Sequence, residues 1–348
     1  MQKIQAKIHL GSIVRNARAF QGFGAKKLCA VVKANAYGHG AEEVVNALEG
    51  EVHFFAVALL EEGVAVKTAA CGKEILIFTP PTDEKEAFLL IKNGFLATVP
   101  DMERAKLIAD VCERYRLPIK VHLKINTGMN RYGMDLQTLQ KVCTFLKEKP
   151  LVRVTGIYSH LFDTTIQSAN EQRLLFETCV FLCRKYFPNV CAHLGGTYVA
   201  LLGEAFAFDC VRVGLGLYGY LPQGEYLYTP TLERCLEIYA KTVSIGRYTQ
   251  GGIGYGKANV LQGANELYVS RFGYADGFLR KKENGLLGAE SNANNLCMDA
   301  CIRYGKGRTG EWLPIMTDAE ETAKKTGTIP YEVLCAATRR AEFVYDYD

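Results

Sequence analysis

The chain lacks most of the signatures by which a binding site usually declares itself. Its 348 residues contain one tryptophan, no Cys-x-x-Cys, no His-Glu-x-x-His and no Gly-x-Gly-x-x-Gly turn after the first predicted strand. It also lacks a charge of one sign: 41 basic and 37 acidic residues leave a formal charge of +4 with no basic block, so nucleic acid is not an expected partner. Long apolar runs are missing too. A stretch such as Phe54–Leu60 falls well short of the ~20 residues that a membrane helix requires, so no membrane segment is expected. Met1-Gln2-Lys3-Ile4-Gln5-Ala6-Lys7 has charges with no apolar run behind them and does not read as a signal peptide. The expected location is therefore the cytoplasm. Twelve cysteines would staple a small secreted domain, but a chain of this length builds its own core. Cys179/Cys183 and Cys297/Cys301 read as buried thiols on helix faces. The six histidines, His9, His39, His53, His122, His160 and His193, include no close pair in sequence, and no metal site is expected.

What the chain does have is alternation. Short β-branched runs predict eight strands: Lys27–Val32, Val52–Val57, Glu74–Phe78, Leu96–Val99, Ile119–Ile125, Val154–Ser159, Val190–Leu194 and Asp209–Val213. Amphipathic patterns between them predict helices over Glu42–Leu48, Leu60–Ala69, Glu84–Ile91, Met102–Tyr115, Leu136–Lys147 and Asn170–Tyr186. Eight βα units give an α/β fold, a (β/α)8 TIM barrel, in preference to a doubly wound sheet, which would usually bring a Gly-x-Gly-x-x-Gly turn after its first strand. Beyond Leu221 the texture changes. Gly224, Gly251, Gly252, Gly254, Gly256, Gly263, Gly273 and Gly277 punctuate short runs such as Glu237–Ser244 and Glu266–Phe272, which predicts a C-terminal mostly-β domain. The barrel is assigned to residues 8–225 and the β-domain to 226–348, with residues 1–7 expected to pair into the latter. One late helix, Thr317–Lys325, is predicted with Thr317 as its N-cap.

Polar residues recur where the barrel strands end. Lys33 closes the first, in Val31-Val32-Lys33-Ala34-Asn35-Ala36-Tyr37-Gly38-His39-Gly40. An amine delivered there by a buried strand is partly desolvated, which favours its neutral, nucleophilic form, as a Schiff-base lysine needs. Tyr37 follows with a hydroxyl able to hold a phosphate. Lys124 and Arg131 follow the fifth strand, His160 the sixth and Thr197 the seventh, and Arg212, Gly214 and Leu215 the eighth. A phosphate is expected after the last two strands of a barrel, where Thr197 and the N–H groups of Gly214 and Leu215 lie. Singly these residues are bland: an arginine after a strand is usually a surface ion pair, and His160 alone reads as a satisfied barrel histidine. Jointly, with Lys33 opposite, they describe a pyridoxal phosphate site.

With those residues in place, the chain resembles the alanine racemase family, fold-type III pyridoxal phosphate enzymes built as a barrel followed by a β-domain. The motifs are the Lys33–Tyr37 string, Thr127-Gly128-Met129-Asn130-Arg131, Val211-Arg212-Val213-Gly214-Leu215-Gly216, Gly273-Tyr274-Ala275-Asp276-Gly277, Cys297-Met298-Asp299 and Tyr331-Glu332-Val333-Leu334-Cys335. The resemblance implies a racemase interconverting L- and D-alanine and supplying D-alanine for peptidoglycan. It implies that Lys33 carries the cofactor and serves as one base, and that Tyr274 of a second copy is the other, in a homodimer with shared active sites. A tyrosine base is costly at its reference pKa of about 10, so cationic neighbours must help, with His160 beside Arg212 as the relay. Arg212 would face the pyridine nitrogen and Arg131 the substrate carboxylate together with Met298. Tyr37, Tyr331 and Thr197 would bind phosphate, and Lys124 occupies a position that is often carbamylated. The chain departs from the family at Asn126 and Asn130 (usually Asp and Gly), Gly196 (commonly Asn), Val213 (commonly Pro), and in the short stretch after Asp299 ending Arg339-Arg340-Ala341-Glu342-Phe343.

Three other readings compete. A non-enzymatic pyridoxal phosphate carrier built as the barrel alone needs neither Tyr274 nor Met298, nor the roughly 120 residues beyond a barrel. A fold-type III decarboxylase would usually carry Cys-Asp where this chain has Cys297-Met298-Asp299. A serine or broad-specificity racemase, including the soluble catalytic half of a membrane-anchored one, differs by contacts of modest energy.

Overall fold

A computed structural model describes residues 4–21, 27–255, 260–261, 263–279 and 296–348. The chain forms two compact units: residues 13–34 with 41–233, and residues up to 12 with 35–40 and 234–348. Of the glycines that marked the β-texture, Gly256 lies outside the described residues.

In the first unit, eight parallel strands run in the order β8-β7-β6-β5-β4-β3-β2-β9. They are β2 (Lys27–Val31), β3 (Phe54–Val57), β4 (Ile75–Ile77), β5 (Leu96–Val99), β6 (Ile119–Lys124), β7 (Val152–Tyr158), β8 (Cys191–His193) and β9 (Cys210–Val213). The run leading into β9 reaches β8 through Asp209 N–H to Ala192 O at 3.0 Å and Arg212 N–H to Gly195 O at 3.4 Å, bringing the two ends of the sheet together. The expected TIM-type barrel is what forms. Strands such as β3 and β5 are buried along their whole length, as parallel strands covered on both faces must be. The helices start on local signals. Asp83, Asp101 and Asp135 each accept a backbone N–H three residues on, and Thr165 does the same for Ser168. That last cap starts the helix at Ile166, one turn before the predicted Asn170. Gly156 on β7 faces His122 on β6. A Cβ at Gly156 would lie 2.6 Å from the imidazole, so the missing side chain makes room for that ring inside the barrel.

The second unit is a mixed sheet built on β10 (Leu236–Tyr248). It pairs antiparallel with β1 (Gln5–His9), β11 (Asn265–Ser270) and β13 (Trp312–Met316). β12 (Cys301–Tyr304) extends β11, and β14 (Glu342–Asp346) lies parallel to β1. The late helix runs Ala319–Thr326, and its cap is Asp318, not Thr317. The Asp318 carboxylate accepts the Glu320 and Glu321 N–H groups at 2.7 and 3.2 Å and also holds Arg234 at 3.1 Å. A charged acceptor one residue later outcompetes the neutral hydroxyl.

Candidate functional site

The parallel strands of the first unit bring their C-terminal ends to one rim. Lys124 is the last residue of β6 and Arg212 lies within β9, while Lys33, Arg131, His160, Thr197, Gly214 and Leu215 follow β2, β6, β7, β8 and β9. The charges acting on the His160 ring, beyond its desolvation, are those of Arg212, Arg131, Lys124 and Lys33. Together these drive its pKa down to about 3, so His160 is neutral at working pH and Arg212 is the permanent cation of the pair. No carboxylate figures among the charges acting on His160 or Arg212. A mouth with two permanent guanidinium cations, Arg212 and Arg131, and two lysines beside them suits an anionic ligand.

Arg212 is 2% exposed and held as a flat plate. One Nη donates to His193 O at 2.9 Å and His193 Nδ1 at 2.7 Å, and the other to Ser159 O at 2.7 Å, with His160 Nδ1 at 3.5 Å. Because guanidinium only donates, His193 Nδ1 accepts and its proton sits on Nε2, which donates to His122 Nδ1 at 2.9 Å. Burial and Arg212 push His193 well below its usual range and His122 to about 3, so both rings are neutral, as this chain requires. Tyr158 stacks on His193 at 5.1 Å with Arg212 5.2 Å from its ring centre. Two histidines far apart in sequence thus meet in the barrel. Among the described residues they gather no third ligand for a metal.

Thr197 Oγ1 accepts the N–H groups of Gly214 and Gly216 at 3.2 and 3.1 Å. With both lone pairs occupied, its proton is left to donate to an incoming acceptor. The backbone here is packed so closely that a Cβ at Gly216 would lie 2.9 Å from Thr197 Cγ2. Lys124 Nζ donates to Ile125 O at 2.6 Å and lies over the Tyr158 and Tyr132 rings at 5.4 and 6.0 Å. Desolvation first, then Arg212 and Arg131, lowers its pKa to about 7. Arg131 stacks on Tyr132 at 5.4 Å.

The segment after Lys33 forms one turn of left-handed sense: Ala34, Asn35, Ala36 and Tyr37 have φ of 52–54°. Each non-glycine residue there costs about 1–2 kcal/mol, so the turn must be held from outside. Glu62 accepts Ala34 N–H at 2.6 Å while also capping its own helix, Leu60–Val66, through Ala58 and Leu59 N–H at 2.8 and 3.0 Å. His39 Nδ1 lies 3.0 and 3.1 Å from the carbonyls of Ala36 and Tyr37 and therefore carries the proton.

Within the second unit, the Tyr37 and Tyr331 rings lie 5.9 Å apart. Tyr274 opens the one-turn helix Tyr274–Asp276, whose Tyr274 and Ala275 N–H groups donate to Cys297 O and Met298 O at 3.1 and 3.0 Å. Tyr274 and Met298 are exposed. The structure thus brings Lys33, Lys124, Arg131, His160, Thr197, Arg212, Gly214 and Leu215 onto the first unit's rim, and places Tyr37, Tyr274, Met298 and Tyr331 in the second unit. Sequence reasoning missed His193, His122, Tyr158 and Glu62. The strand-terminal position of His193, shared with Lys124, was the one signal available for it.

Comparison with known proteins gives a concordant picture. Residues 8–222 match the family model for the alanine racemase N-terminal domain, and residues 235–345 that for the alanine racemase C-terminal domain. The alanine racemase of Aquifex pyrophilus is 30% identical over 344 residues, 95% of this chain and 94% of its own. That of Synechocystis sp. is 29% identical, covering 97% and 98%. Among solved structures, an alanine racemase of Clostridium difficile 630 aligns with a TM-score of 0.90 at 26% identity, over 99% of this chain and 96% of that one. One from Bartonella henselae with covalently bound pyridoxal phosphate aligns with a TM-score of 0.85 at 25% identity, over 99% and 100%.

Proposed function

The chain belongs to the alanine racemase family, and from that membership we propose that it interconverts L- and D-alanine with pyridoxal phosphate as cofactor. The structural observation that carries the reading is the buried Arg212 guanidinium, held by His193 O and Ser159 O beside His160, with Arg131, Lys124 and Lys33 also acting on that ring. The donors fit the group: the Thr197 hydroxyl has its proton left to give, and Arg212 is a buried cation whose partners are carbonyls and imidazoles. Lys33 would hold the cofactor, and Thr197, Gly214, Leu215, Tyr37 and Tyr331 its phosphate. When bound, it acidifies the α-hydrogen of an attached amino acid by drawing off the electron pair.

The remaining work falls to the chain. Lys33 Nζ takes or returns the proton on one face of Cα, and the Tyr274 phenolic oxygen, supplied by a second copy in a homodimer, does so on the other. Removal from one face and return to the opposite one inverts the centre. Arg212, which cannot give up its proton, would face the cofactor's ring nitrogen as a donor, and the weaker electron withdrawal this leaves would disfavour side reactions. Arg131 and Met298 hold the substrate carboxylate. Lys124, with its pKa lowered to about 7, is partly neutral at pH 7 and can form a carbamate that braces Arg131. For organisation we propose a division near residue 225, testable by limited proteolysis between Leu221 and Arg234. For location we propose the cytoplasm, where D-alanine would serve peptidoglycan synthesis; cell fractionation tests it. The decisive assay is loss of optical activity from L-alanine, combined with borohydride reduction and peptide mapping. A reduced pyridoxyl group on any lysine other than Lys33 overturns the site.

A further inference from the structure

Three elements of the second unit converge on the turn that presents Tyr274. The turn rests on the Cys297–Asp299 segment so closely that a Cβ at Gly273 would lie 2.2 Å from Met298 O. Behind it stands the helix Pro330–Ala337, where a Cβ at Gly277 would lie 1.9 Å from Ala336 O. With the Tyr274 and Ala275 N–H bonds to Cys297 O and Met298 O, these approaches join the two turns along the backbone. Side-chain charge adds a second tie. Asp276 is 2% exposed; its Oδ2 accepts Gly273 N–H at 2.8 Å, and its Oδ1, which accepts no hydrogen bond, faces Arg340 Nε at 3.5 Å. The same guanidinium donates through Nη1 to Asp299 Oδ1 at 2.8 Å. One planar fork thus joins a carboxylate on the Tyr274 turn to a carboxylate on the Met298 turn.

We infer that Arg340 is a positioning residue for the reaction, locking the turn of Tyr274 to the turn of Met298 through Asp276 and Asp299. The inference rests on the reading that Tyr274 is a base. The planar fork is what matters: one donor hydrogen-bonds Asp299 while the charge of the same rigid group pairs with Asp276, whereas a lysine ammonium holds them less rigidly. With Arg340 and Asp299 largely exposed, the pair between them adds little stability. Its value lies in geometry, since small misplacement of a reacting group costs on the order of ten- to a hundredfold in rate.

The test compares wild type, Arg340→Ala, Arg340→Lys and Tyr274→Phe by deuterium wash-in at the α-carbon, starting separately from L- and D-alanine. Tyr274→Phe fixes which enantiomer reports on that residue. Arg340→Ala should slow exchange of the same enantiomer by at least about tenfold, as misplacement implies, while exchange of the other and borohydride trapping at Lys33 hold within about twofold. Arg340→Lys should fall between. In the apoenzyme, amide hydrogen exchange of a peptide spanning residues 273–277 should quicken in Arg340→Ala. If Tyr274→Phe shows no face bias, the two-base reading fails. If Tyr274→Phe shows the bias while Arg340→Ala slows both faces equally, slows neither, or leaves amide exchange unchanged, the positioning role alone is overturned.

Discussion

Asn126 and Asn130 are a matched pair: the Asn126 side-chain amide donates to Asn130 Oδ1 at 2.9 Å, and its oxygen accepts the Asn130 backbone N–H at 3.1 Å. The same oxygen takes Gly128 N–H at 3.1 Å, so one side chain organises the loop that ends in Arg131. Asn130 has φ of 55°, where glycine is comfortable and asparagine is tolerated. Two departures from the family pattern are thereby explained together, one residue supplying the conformation and the other the hydrogen bonds.

Asn126→Ala should loosen this loop and raise KM for alanine several-fold, on the order of the roughly 1–2 kcal/mol lost with such bonds, with a smaller change in kcat. Asn130→Gly keeps the backbone accessible and should be nearly neutral in stability; Asn130→Ala strains it by about 1–2 kcal/mol. Steady-state kinetics and thermal melts check both. An unchanged KM in Asn126→Ala would remove the link between this pair and Arg131.

A steep acid limb of stability is expected. His122 and His160 titrate near 3 in the fold, His193 well below 6.5, and the ordinary value is 6.5. The unfolded chain therefore binds more protons between about pH 3 and 6.5, and stability is lost as pH falls through that window. Each such histidine adds a slope of about 1.4 kcal/mol per pH unit. Denaturant titrations from pH 4 to 8 measure the slope, and His122→Gln should flatten it. A flat profile below pH 6.5 would mean that these rings are not buried neutral.

The barrel was legible because its signal is periodic and local: helices such as Met102–Tyr115 and Leu136–Lys147 form on the predicted residues. The helix Leu10–Gln21 passed unread, although Leu10, Ile13, Ala17 and Phe20 give it a buried stripe at helical spacing. The left-handed turn from Ala34 to Tyr37 could not be read, since none of its four residues is glycine and Glu62, which supports it, is distant in sequence. His122 and His193 meet because their strands, β6 and β8, flank β7 in the sheet, across 71 positions. Strand ends announced Lys33, Lys124 and Arg212. What surrounds each of them did not follow from its own neighbours.

Lys124 should take up carbon dioxide. Its pKa near 7 against an ordinary 10.5 leaves a neutral amine in slightly alkaline solution, and carbamate formation releases a proton while placing a negative charge beside Arg131 and Arg212. The same depression makes stability rise with pH from about 7 toward 10.5, where the unfolded chain still holds the proton. With ¹³C-bicarbonate, a carbamate resonance should appear at pH 8, vanish in Lys124→Met and fade on acidification. No resonance in wild type would confine Lys124 to its bond with Ile125 O.

Assembly can be tested by mixing two dead proteins. If Lys33 of one copy and Tyr274 of another serve one site, a mixed dimer of Lys33→Ala and Tyr274→Phe subunits has one site with both lesions and one with neither. Random reassortment makes half the dimers mixed, each with half its sites intact, so roughly a quarter of wild-type activity should return. The parents should be almost inactive, Lys33→Ala also failing to retain borohydride-trapped cofactor and Tyr274→Phe retaining it. Co-refolding of the two, with wild type refolded in parallel, supplies the measurement. Recovery no greater than either parent, alongside full recovery of wild type, would place Tyr274 at the site of its own chain and remove the shared-site homodimer from the mechanism.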